Sequence, residues 1–133
     1  MLPSSCFWAF YVRIARKISE LYDHTLKPSG LSGAQFHLVT AISRLQLPTL
    51  KDIAIATGLD CSKLGWNVRV LKQEGYFELN LGVDGSRRVV ILIRMGRISM
   101  RIAQSKWEKA QDQMQSVLPT NTYKQLRDLS FTL

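Results

Sequence analysis

The sequence predicts a mainly α-helical chain with a two-stranded β wing, a winged helix-turn-helix flanked by N- and C-terminal dimerisation helices. Three observations predict it. Apolar residues recur at three- and four-residue spacing along most of the 133 residues. That period drops to about two in one place only, where the β-prone runs Tyr76–Leu81 and Arg88–Ile93 flank the turn Gly82-Val83-Asp84-Gly85-Ser86. Helix-stopping residues punctuate the helical stretches: Pro28 and Gly30, Pro48, Gly58, Gly75 and Pro119.

Taken in order, Phe7, Phe10, Ile14, Ile18, Leu21 and Leu26 form the apolar stripe of a long first helix, from about Ser5 to Leu26. Arg13, Arg16, Lys17, Glu20 and Asp23 wet its sides. Ser32 caps a second helix through about Leu45, with Gln35 in the capping-box position and Phe36, Val39 and Ile42 on one face. Thr49 caps a short third helix, Leu50 to Thr57, that buries Leu50, Ile53 and Ala54 and ends at Gly58. Asp60 or Ser62 caps the fourth, which runs to Glu74 on a buried ridge of Leu64, Val68 and Leu71. After the hairpin, Gly96 to about Val117 is helical, with Ile98, Ile102, Trp107 and Met114 on its apolar stripe. A last helix, about Thr122–Leu129, carries Tyr123, Leu126 and Leu129. Two short helices joined by a tight turn and followed at once by a ribbon make a winged helix-turn-helix, over about residues 32–96. The outer helices, about 5–26 and 97–133, complete a single domain spanning residues 1–133.

Charge narrows the partner. The net charge is +8, and residues 61–101 hold eight basic side chains against three acidic ones, net +5. Such an excess points to a polyanion. Membrane attachment is not expected, because the basic residues lie away from the aromatic cluster Phe7–Tyr11. The apolar run at the start covers seven residues with no basic residue before it, too short to span a bilayer and lacking the basic start of a signal peptide. Cys6 and Cys61 form no CxxC pair, and His24 and His37 no cluster, so neither a metal nor a cofactor is expected. A reducing cytoplasmic setting is the default. No nucleophile–base pair, carboxylate dyad or phosphate-cradling glycine loop stands out, which argues against an enzyme.

The ordered motifs YDHTLKPSGLSGAQFHLV, TLKDIAIATGLDCSKL, VRVLKQEGYFEL and DGSRRVVILIRMG, within residues 13–118, resemble the MarR family of prokaryotic transcription regulators. The family pattern is a helix ending before Gly-Leu and a Gln–aromatic opening of the next helix. A T-x-x-x-[IL]-A-x-x-x-G-[LM]-D-x-[ST] helix-turn-helix follows, then an Asp–Arg wing tip and an L-T-x-x-G exit. The resemblance implies a homodimer that binds double-stranded DNA at a pseudo-palindromic site, as a ligand- or stress-responsive repressor. Phe7, Trp8, Phe10 and Tyr11 are too many aromatics for one end of a monomeric helix to cover. The resemblance implies that they pack with Tyr123, Leu126 and Leu129 against a second chain. It also implies a small aromatic or lipophilic effector between the dimer helices and the winged domain. No single residue identifies that pocket; His37 is a candidate polar anchor, although such a histidine more often satisfies a nearby carboxylate.

Helical geometry assigns the DNA contacts. Opposite the buried ridge stand Ser62, Lys63, Trp66, Asn67 and Val70. Lys63 can donate to phosphate or guanine, Asn67 can pair with adenine, and Ser62 suits a phosphate. In the wing, Arg87 and Arg88 are candidates for the minor groove or flanking phosphates, with Asp84 and Ser86 shaping the tip. The chain departs from the family pattern at three places: Ser86 stands where the wing-tip arginine is usual, Ile93 where the exit threonine is, and Trp66 where an arginine is common. Trp66 and Ser86 leave open an alternative, a winged-helix protein-interaction module with lost or weak DNA specificity. Cys6, followed by Tyr11 and Tyr22, loosely resembles the organic-hydroperoxide-sensing branch. An unreactive cysteine is the favoured reading there, since free cysteines are more often buried and inert. Cys61 is read as structural, on the core side of the fourth helix.

Overall fold

In the computed structural model, which describes residues 6–82 and 88–133, α1 spans Phe7–Leu26 and passes through a 3-10 turn, Lys27–Ser29, into α2, Gly33–Arg44. Ser32 caps α2 with a complete capping box: its hydroxyl accepts from Gln35 N at 3.1 Å, and its own N–H donates to Gln35 Oε1 at 3.0 Å. A second box opens α3, Leu50–Thr57, with Thr49 and Asp52 as the reciprocal pair. Helix α4, Cys61–Gln73, starts at Asp60 rather than Ser62, because the Asp60 carboxylate accepts from Lys63 N at 2.8 Å. Asp60→Ala is therefore expected to cost about 1 kcal/mol of stability in urea unfolding; an unchanged midpoint would remove the capping argument.

The other end of α4 closes as a Schellman turn. Gly75 takes φ 84°, Tyr76 N donates to Leu71 O at 3.0 Å, and Gly75 N donates to Lys72 O at 3.1 Å. The chain leaves that turn as β1, Phe77–Leu81, which pairs antiparallel with β2, Arg88–Leu92, in a register running from Phe77 opposite Leu92 to Leu81 opposite Arg88. The residues before α3 add to this ribbon: Thr49 bridges to Val89, and Val90 N donates to Pro48 O at 2.9 Å. The wing is thus fastened to the start of the helix-turn-helix. Helices α5, Arg94–Val117, and α6, Thr122–Thr132, complete the chain.

Every predicted helix and strand is present, with its ends moved by a few residues; the predicted turn lies, from residue 83 on, outside the described residues. Leu26, Phe36, Leu38, Val39, Ile42, Ile53, Leu64, Val68, Leu71, Phe77 and Val90 form one core under the helix-turn-helix. Leu50, expected inside, is exposed, since Ile53 alone of α3 is fully buried.

The packing face of α5 also differs from the expected stripe. Gly96, Ser99, Ala103 and Ala110 are buried, whereas Ile98, Ile102 and Trp107 are exposed and Met114 is half-buried. Small side chains let α1 and the 3-10 turn approach α5 closely, while Trp107 stays partly exposed with its ring 6.5 Å from that of Phe36. The tightest contact is at Gly96, where an added Cβ would lie 2.2 Å from the Tyr76 carbonyl oxygen and 2.5 Å from Leu92 Cδ1.

Candidate nucleic-acid interface

Helices α3 and α4 meet through the Gly58–Asp60 turn. Leu64, Val68 and Leu71 press α4 into the core, with half-buried Leu59 beside them. This leaves an outward face made of Ser62, Lys63, Trp66, Arg69 and Gln73, all exposed, with Trp66 at 60%.

Asn67 does not belong to that face. It is 8% exposed, and its Nδ2 donates to the Lys63 carbonyl oxygen at 3.0 Å. The reason lies in the helical step: Asn67 is three residues beyond Leu64 and adjacent to Val68, so it sits on the margin of the buried ridge. Val70, three residues on and on the same side of the ridge, is half-buried. Cys61, expected to lean toward the core, is exposed, because the first turn of α4 extends past the packed region.

Arg88 is exposed at the start of β2. Arg87, with Asp84 and Ser86, lies outside the described residues. Among the described residues the ion pairs are Arg16–Glu20 and Arg127–Asp128, neither of which involves Lys63, Arg69, Lys72, Arg88, Arg94, Arg97 or Arg101. All seven are exposed. Arg97 turns one guanidinium nitrogen back to Leu92 O at 2.9 Å.

The expected dimerisation residues form no part of the core of the single chain. Phe7 is 94% exposed, and Trp8, Phe10, Tyr11, Tyr123, Leu126 and Leu129 are exposed as well. Trp8 and Tyr11 are ring neighbours at 5.4 Å. Cys6 is half-buried at the N-cap position of α1.

Two concavities flank α1. One, of about 740 Å³, lies between α1, α2 and α5, with Ile18, Tyr22, His37, Thr40, Arg44, Met100 and Trp107 in its wall. Of these the sequence offered only His37 as an effector contact; its Nε2 sits 3.0 Å from the carbonyl oxygen of Thr57 at the end of α3. The other wall residues come from three separate helices, so no local motif could reveal them. The second concavity, of about 600 Å³, is lined by Tyr22, Met114, Leu118, Tyr123, Leu126 and Arg127. Tyr22 joins the two. Its hydroxyl donates to Gln111 Oε1, and burial, with Tyr123 nearby, pushes its pKa above the ordinary tyrosine value. It therefore remains a neutral donor at physiological pH.

Neither a family model nor a curated protein sequence matches the chain. Its likeness is to solved structures. A Mycobacterium tuberculosis transcriptional regulator, MosR, solved in complex with DNA, is 26% identical over 95% of this chain and 92% of its own, with a TM-score of 0.82. A MarR-family transcriptional regulator from Rhodococcus is 18% identical over 97% of this chain and 92% of its own, with a TM-score of 0.75. The chain has the MarR-type winged-helix fold. Another protein of this fold, Bordetella bronchiseptica BpsR, is 18% identical over 98% of this chain and 96% of its own, with a TM-score of 0.84; its DNA binding is described as regulated by 6-hydroxynicotinic acid. These MarR-type structures are regulators rather than enzymes. Among the described residues, no helix is long and apolar enough to cross a membrane.

Proposed function

We propose that this protein is a MarR-type transcription regulator that binds duplex DNA as a homodimer, with α4 in the major groove and the β1–β2 wing beside it. The observation that carries this reading is the outward face of α4, exposed and basic, with no carboxylate paired to its cations among the described residues. The likeness to MosR, solved on DNA, supports it. Ser62 and Lys63 meet phosphate or a guanine edge, and Arg88, with Arg87, meets flanking phosphates. The aromatic start of α1 and the apolar face of α6 pair with those of a second chain. Two-fold symmetry then sets the recognition helices about 34 Å apart, one DNA turn, on a pseudo-palindromic site. The protein acts in the cytoplasm, as a repressor released by a small aromatic or lipophilic effector. The concavity between α1, α2 and α5 is of a size to hold one.

A salt titration tests the DNA reading. Affinity for duplex DNA should fall at least ~10³-fold between about 50 and about 200 mM salt. Arg88→Ala should weaken binding to all sequences and reduce the salt slope by about one for each phosphate that Arg88 neutralises. A flat salt dependence would instead favour the alternative, a winged-helix protein-interaction module.

A further inference from the structure

The recognition helix carries its largest exposed side chain at the place where a base reader would stand. Relative to the direction set by Leu64, Val68 and Leu71, Trp66 points about 165° away and Asn67 only about 65°, at 100° per residue. Trp66 is thus at the crest of the outward face and Asn67 on its shoulder. The indole is 60% exposed. Among the described residues it makes no hydrogen bond and no ring contact. Its neighbour Gly65 adds no bulk, and a Cβ there would meet nothing within 4 Å. The flank of the helix is therefore open to close approach.

Asn67 and Gln73 are the side chains of this helix able to form a bidentate pair with adenine. Gln73 is its last residue, and Asn67 is 8% exposed with one amide N–H given to the Lys63 carbonyl. An indole offers one N–H donor and a wide apolar ring. The only apolar group on the base edges of the major groove is the C5-methyl of thymine. An apolar ring held at the crest of the helix matches that group and no other on the groove floor. Lys63, one turn earlier, supplies the neighbouring anionic or guanine contact.

We infer that Trp66 sets the base preference of this protein by packing on thymine C5-methyl groups, while Asn67 holds the first turns of α4 instead of reading a base. This rests on the DNA-binding reading above.

The test uses the full chain and a duplex selected from random sequences, prepared once with thymine and once with deoxyuridine, which lacks only the methyl. The wild type should bind the deoxyuridine duplex about 4-fold more weakly for each contacted methyl, or about 15-fold for one in each half-site. Trp66→Ala, a change at an exposed position, should bring the thymine-to-uracil ratio to about one, and Trp66→Phe should retain most of it. Lys63→Ala should weaken binding to both duplexes and keep the ratio. A wild-type ratio near one, or a ratio that survives in Trp66→Ala, overturns the inference and leaves DNA binding standing. Failure of the wild type to bind any duplex overturns both readings, and is recognised before any variant is made.

Discussion

Gly96→Ala is expected to lower the thermal midpoint by roughly 10 °C. The position follows Tyr76 and Leu92 into the start of α5, and no side chain there can yield: the obstacle at 2.2 Å is a backbone carbonyl. That carbonyl is held in place, because it accepts from Ile93 N at 3.1 Å. Relief requires moving α5 as a body, at a cost of about 3 kcal/mol. Gly65→Ala is the control, since its Cβ meets open space in the middle of α4. It should stabilise the protein slightly, by up to about 1 kcal/mol of helix propensity. A Gly96→Ala midpoint within about 2 °C of wild type would show that α5 is not seated as described.

The second large effect is expected at the other end of the chain. Leu126→Glu combined with Leu129→Glu should yield a folded monomer by light scattering and lower affinity for the selected duplex by about 10²–10⁴-fold. Both leucines are exposed in the single chain, so the loss would not come from its own core. The fall follows from losing the second recognition helix, whose binding is intramolecular once the first is seated. A dimeric mass for the double variant would locate the interface elsewhere.

The elements were legible because their boundaries are written in local chemistry. Ser32 and Gln35, Thr49 and Asp52, and Asp60 cap helices through hydrogen bonds within three residues, and Gly75 ends one through its own backbone. Faces were less legible, because a face depends on what lies opposite. Ile98 and Ile102 look like core residues by hydropathy, yet the chain packs α5 through Gly96, Ser99 and Ala103, where backbone proximity outweighs side-chain size. Asn67 shows the same limit within a single helix. Counting from Lys63 puts it outside and counting from Leu64 puts it inside, and only the packed core decides. The concavity beside α1 was invisible for a related reason: its wall is assembled from side chains up to 89 residues apart, from Ile18 to Trp107.

Tyr76 also determines how displacement travels through this molecule. Its N–H is tied to the end of α4, its carbonyl to the residue that precedes α5, and Gly96 rests on that carbonyl with no side chain between. Soft layers in proteins are made of side chains that can change rotamer, and here there is none. The first turn of α5 is therefore coupled to the end of α4 and the root of the wing through backbone contacts, with the Leu92 side chain beside them. Helix and ribbon then move as one stiff lever, and what an outer-helix movement alters is where the lever points, not its shape.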